Sequence, residues 1–193
     1  VVSPSGAVEH LDYGLDGDPG HQLPGVDKML PRVKRHRVLP GHGQAEMQTD
    51  YDYSAHNFMG NGSGIKWSNS GRDNLYDVTD ASYTYWSKTT QRCEGQADRT
   101  VTTHYDRFHR TVEELSQQAK HVVKNTMDYH GDPAASFKDQ PSIFQMPRTV
   151  TTSWEMAEDA SQRRSELVTT AFDIHGNLTE EIQHDGTRTV MEY

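Results

Sequence analysis

The sequence predicts an all-β fold of antiparallel hairpins and meanders, and three observations carry that prediction. Residues 44–53 alternate strictly, with Ala45, Met47, Thr49, Tyr51 and Tyr53 on one side and Gln44, Glu46, Gln48, Asp50 and Asp52 on the other. That is the period of two expected of a half-buried strand. Eighteen threonines, nine tyrosines and three tryptophans supply residue types that suit a pleated surface. The stretch Arg99-Thr100-Val101-Thr102-Thr103 returns as Arg148-Thr149-Val150-Thr151-Thr152 and, shortened, as Arg188-Thr189-Val190, the mark of an internal repeat. Against these stands a chain of 193 residues with net charge −9, in which Leu, Ile, Val and Phe make up only about a sixth, a composition bordering on the disordered range. A thin β structure with polar faces reconciles the two.

In chain order, residues 1–43 read as an irregular lead-in, because Pro and Gly recur from Pro4 to Gly43 and leave room only for short extended pieces. Residues 33–39 are the best strand there. Residues 44–98 read as degenerate β repeats interrupted by a long loop at 57–74, pinned by Phe58, Ile65 and Trp67. A second alternating run at 81–90 places Tyr83 and Tyr85 opposite Ser82, Thr84 and Trp86. Residues 99–193 read as the repeat proper. Residues 101–114 align without gaps on 168–181, and each copy sets a threonine-rich strand ahead of an aromatic-Asp corner, Tyr105-Asp106 or Phe172-Asp173. After the second corner, Gly176-Asn177 accepts positive φ and reverses the chain, and Asp185-Gly186 reverses it again. One stretch competes. Val112, Leu115, Ala119, Val122 and Val123 fall near a helical stripe over 113–124, although the aligned stretch after Phe172 reads as a strand.

Few chemistries find their residue patterns here. One cysteine, Cys93, excludes a disulfide within the chain. The eleven histidines show no common zinc spacing, so no metal or other cofactor is expected. Glu46, Asp50 and Asp52 share a strand face without a calcium loop, and the glycines of 60–64 lack the Lys-Ser/Thr pair of a phosphate cradle. Arg32, Lys34, Arg35 and Arg37 form the only basic cluster; without interleaved aromatics, in an acidic chain, it gives no case for nucleic acid. No apolar run is long enough to span a bilayer. With no Gly-x-Ser-x-Gly elbow, no catalytic constellation is visible and the chain is not expected to be an enzyme. Tyr83, Tyr85, Trp86 and Trp154 are candidates for stacking on sugar rings, which would suit a glycan-binding or adhesion module.

The segment from Phe172-Asp173-Ile174-His175-Gly176-Asn177 through Ile182, Asp185-Gly186-Thr187 and Tyr193 resembles one unit of the tyrosine-aspartate repeat, with Phe172 in place of tyrosine. Bacterial Rhs proteins and the B and C components of insecticidal toxin complexes carry such repeats. Tyr105-Asp106-Arg107-Phe108-His109-Arg110 keeps the corner and carries His109 where the family has glycine, and residues 57–76 resemble the degenerate repeats of large Rhs-type proteins. The resemblance covers about residues 30–193. It implies a segment of a larger, spiralled β-sheet shell in a secreted or translocated bacterial protein. Its partners would be the rest of the polypeptide or a toxin-complex subunit, and an enclosed toxic cargo. The Asp-Pro setting of the family's self-cleaving region is not matched by Asp18-Pro19-Gly20 or Asp132-Pro133-Ala134, which read as turns.

Overall fold

A computed structural model describes residues 1–4, 6–14 and 17–193. The fold is all-β. Strands β1 (Val8–Tyr13), β4 (Val33–Leu39), β5 (Met47–Tyr53), β6 (Thr84–Cys93), β7 (Arg99–Asp106), β8 (Thr111–Gln118), β9 (His121–Tyr129), β10 (Pro147–Met156), β11 (Asp159–Phe172), β12 (Leu178–Ile182) and β13 (Arg188–Val190) form one sheet. Apart from a small β2–β3 hairpin (His21–Gln22 with Met29–Leu30) inserted after β1, each strand of this eleven-stranded sheet lies between its neighbours in sequence. Every pairing is antiparallel. Two short 3-10 turns, Asn74–Asp77 and Phe137–Asp139, lie in the loops.

The strand expected at 33–39 is β4, and the alternating run at 44–53 becomes β5 from Met47 onward, with residues 44–46 preceding it. The helical stripe over 113–124 is a hairpin instead: Val112 and Leu115 sit on β8, Val122 and Val123 on β9. The reversal goes through Ala119 at φ 51, and a turn at that point brings apolar residues of two strands into a spacing that imitates a helix. The 1–43 lead-in is also less irregular than its composition implies. It contributes both β1 and β4 to the main sheet, and residues 1–3 fold back along β1 through a Val2–Val8 bridge.

The repeated threonine-rich segments have an unexpected relation. In a meander successive strands alternate in direction, so β7 and β10 run oppositely although both carry Arg-Thr-Val-Thr-Thr. Alternation along a strand reads the same both ways. The ungapped alignment, by contrast, maps β7 and β8 onto β11 and β12, which run in matching directions. That alignment is the structural repeat, and the threonine-rich segment is only a good strand sequence.

Alternating connections place the joins at 14–32, 54–83, 107–110, 130–146 and 173–177 at one end of the strands, with shorter joins at the other. Burial concentrates at the first end. Leu23, Met59, Leu75, Val78, Tyr83, Arg107, Phe108 and Arg110 are buried there, whereas the body of the sheet buries only Thr90, Val122 and Ser153 among the described residues. The sheet is held by its ladder and by cross-strand pairs such as Arg35–Asp50 at 2.6 Å and Lys124–Glu113 at 2.7 Å. Exposed pairs of this kind contribute little each, so the hydrophobic stabilisation sits along the loop-bearing rim.

Candidate functional site

The corners are built from the same atoms. Asp106 Oδ1 accepts from the backbone N–H groups of Phe108 at 2.8 Å and Arg110 at 3.0 Å; Asp173 Oδ1 accepts from those of His175 at 2.8 Å and Asn177 at 2.9 Å. The second carboxylate oxygen takes the side chain four residues on, Arg110 Nε at 2.8 Å or Asn177 Nδ2 at 2.9 Å. Backbone bonds repeat as well, His109 N–H to Asp106 O and Gly176 N–H to Asp173 O, both 3.1 Å. Each corner follows a register slip of one residue, between His104 and Tyr105 and between Ala171 and Phe172. Such a bulge leaves one residue over and bends the strand. The turn at Asp185-Gly186 is simpler: Asp185 Oδ1 accepts from Thr187 N–H at 2.8 Å and Gly186 takes φ 84.

Around the first corner the rim is fastened by two arginines. Arg107 donates to the carbonyls of Val78, Pro133 and Ala135, joining the 54–83 loop to the 130–146 loop. Arg110, paired with Asp106 at 2.7 Å, also reaches Phe144 O at 2.7 Å, with its guanidinium over the rings of Phe108 and Tyr129. Gly131 makes that route possible, since a Cβ there would lie 2.6 Å from the Arg110 side chain. A stack of Tyr76 on Phe137, centroids 4.0 Å apart, completes the wall with Phe108 and Phe144. His109 adds a polar tie: Nδ1 is 2.8 Å from Tyr85 Oη, and Nε2 is 2.5 Å from Asp73 Oδ2.

Of the four aromatic residues nominated for ligand stacking, the structure brings two together. Tyr85 and Trp86 line a cavity of about 220 Å³ with His21, Tyr53, His56, Asn57, Phe58, Ser87 and Tyr105. Tyr85 stacks on Tyr105 at 5.0 Å, and its phenol is pushed up by burial, then by the Tyr105, Asp106 and Asp73 charges. It stays protonated and acts as a donor. Burial, reinforced by Arg32 and only partly opposed by Asp18, lowers the pKa of His21 to about 4, so that ring is neutral near neutral pH. The cavity can stack a flat, uncharged group.

Tyr83 is a correction. It is 3 % exposed, and its hydroxyl, whose one proton lies within reach of both Asn57 O at 2.9 Å and Asn61 O at 2.8 Å, also accepts from Asn57 N–H. It pins the glycine-rich loop and has no face free for a ligand. Trp154 lines a separate shallow cleft of about 410 Å³ beside Arg164, whose guanidinium lies 5.5 Å from its ring. Sequence reasoning missed His21, Tyr53, His56 and Phe58. Tyr53, His56 and Phe58 follow one another from the end of β5, and His21 is brought to them from β2, a meeting that no local pattern announces.

The charged patches neutralise one another. Arg32 and Lys34 meet Asp18, Lys34 also meets Asp52, Arg37 meets Asp12, and both Arg35 and Arg92 meet Asp50. Asp132-Pro133-Ala134 enters a backbone turn, whereas residues 18–20 form none and are held by the Asp18 side chain; Asp18 accepts from Gly20 N–H and Asp132 from Ala134 N–H, each at 2.8 Å. Among the described residues no three His, Cys, Asp or Glu side chains converge as metal ligands, and no helix is long and apolar enough to cross a membrane. Comparison with protein-family models and with curated proteins gave no match.

Proposed function

We propose that the chain is a structural segment of a bacterial tyrosine-aspartate repeat protein of the Rhs kind, and that its sheet forms part of a shell enclosing and helping to deliver a toxic polypeptide. On this reading it has no catalytic role and belongs to a secreted or translocated assembly. Its partners are the rest of the same polypeptide or a toxin-complex subunit, together with the cargo. The observation that carries the reading is the atom-for-atom recurrence of the aspartate corner, including its bulge, on strands of matching direction. A single-layer sheet whose body buries few side chains, and whose last strand β13 is exposed along its length, suits a wall built of many such units. Size-exclusion chromatography with thermal melting tests it. The isolated chain should associate through its open edge, whereas a compact, cooperatively melting monomer would mark a self-contained domain.

The aromatic cavity favours a second reading, a glycan-binding or adhesion module, because Tyr53, Tyr85 and Tyr105 line one recess and rings of this kind stack on sugars. Tryptophan fluorescence titrated with a glycan panel separates the two. A saturable change lost on Tyr85→Ala supports binding, and a flat response removes it.

A further inference from the structure

Arg107 is 3 % exposed, yet among the described residues it contacts no carboxylate. Its charge is met by three carbonyl dipoles, its Nε has no hydrogen-bond partner, and its own burial is the largest influence lowering its pKa. Asp106, Asp132 and Asp80 act on it only through space. Asp106 is bound to Arg110, Asp80 to Ser82, and the Asp132 carboxylate accepts from Ala134 N–H. A buried guanidinium without a counter-charge is costly. Beside it the 54–83 and 130–146 loops leave a cavity of about 260 Å³, which Arg107 lines together with Arg72, Lys138, Asp77, Ser136 and the Tyr76–Phe137 stack.

Charge and shape there point the same way. Three cations face one carboxylate, Asp77, which lies 3.7 Å from Arg72, so the lining itself has an excess of two positive charges, with Asp106, Asp132 and Asp80 acting on Arg107 only from outside it. A carboxylate ligand would cancel one. A phosphate monoester carries about −1.5 to −2 near neutral pH and offers three acceptor oxygens, which matches the deficit and suits arginine's donor geometry. The volume is slightly below the usual range for drug-sized ligands and accommodates a phosphate with one small ring. We infer that this cavity between the two rim loops is a binding site for a small phosphate monoester, its anion held by Arg72, Lys138 and the field of Arg107, and its ring set against the Tyr76–Phe137 wall. The inference is independent of the shell reading, since it needs only these two loops.

Phenyl phosphate titrated into the full chain by calorimetry at low salt tests it, with inorganic phosphate and phenol as comparison probes. Saturable binding of phenyl phosphate is expected, tighter than inorganic phosphate, absent for phenol and weakened by added salt. Arg72 and Lys138 are exposed, so the double variant Arg72→Ala, Lys138→Ala should keep the wild-type circular dichroism and melting curve while losing affinity by about tenfold or more. No saturable binding of phenyl phosphate up to about 10 mM, or unchanged affinity in the folded double variant, overturns the site. Equal affinity for inorganic phosphate overturns the monoester assignment.

Discussion

His109 occupies, at φ 61, the backbone position that Gly176 occupies at φ 86 in the matching corner. A side chain there costs about 1–2 kcal/mol, and the bonds of His109 to Tyr85 and Asp73 offset it. His109→Gly relieves the strain but gives up hydrogen bonds worth about 1.5–3 kcal/mol when one partner is charged. The variant should be less stable by about 1 kcal/mol in urea denaturation; a more stable variant would show that the tie contributes nothing. Gly176→Ala should cost about 1–2 kcal/mol, with its new methyl 3.3 Å from the end of Met146.

The two corner aspartates differ in their surroundings. Asp106→Ala strands a buried Arg110 as well as two N–H groups, a loss of about 3–5 kcal/mol. Asp173 is only half-buried, and its carboxyl is held below its ordinary value by the Asn177 hydrogen bonds, which outweigh the opposing effect of burial. Asp173→Ala should therefore shift the urea midpoint far less than Asp106→Ala. Similar losses would mean that Arg110 is satisfied without its partner.

His21 predicts an acid sensitivity. Its folded pKa of about 4 lies below the ordinary histidine value of 6.5, so between those values the unfolded chain binds the extra proton and stability rises with pH. Stability should accordingly fall as the pH drops from about 6.5 to about 4. His21→Phe keeps the edge contacts with Tyr53 and Phe58 and should flatten that part of the profile, read as urea midpoints at about pH 7 and about pH 5. Asp18 belongs to a separate window. Burial would raise its pKa, but Arg32, the Gly20 N–H and Lys34 together hold it below 3.8, so its contribution disappears only at still lower pH.

Arg107→Met should unfasten the two rim loops from each other, at a cost of about 3 kcal/mol or more for the carbonyls left unsatisfied. Limited proteolysis should then cut within 54–83 or 130–146 before the sheet melts. Arg107→Lys restores the charge but cannot reach three carbonyls at once, so it should rescue only part of the loss.

How legible the molecule was in its sequence depended on how local each feature is. The strand at β4 and the Asp173-Gly176 corner announce themselves within a few residues. The first half of β11 does not. Residues 159–166 are almost wholly polar, and pairing with β10 holds them in the sheet. β1 was hidden among glycines and prolines, with Leu11 and Tyr13 left exposed, so no buried face marked it. At the candidate sites, Tyr85 and Trp86 were legible as aromatic residues on a strand, and the burial of Tyr83 was not, because its partners lie in the 57–61 loop. Arg107 was least legible of all, since nothing in an Arg-Phe-His-Arg run tells a solvated arginine from one buried against carbonyls of two distant loops.

The meander also sets how the chain would respond to force. Each main-sheet strand is bonded only to its predecessor and successor, apart from the inserted β2–β3 hairpin, so tension on the C-terminus loads β13 first and unzips the ladder one strand at a time. The rim bonds work differently. Ser142 to Ile174 O and Arg107 to Val78 O each bridge separate connections, and His130 ties its connection to Thr170 O on β11. A peeling front must break them in turn, so extension should proceed in steps, with a pause at each loop.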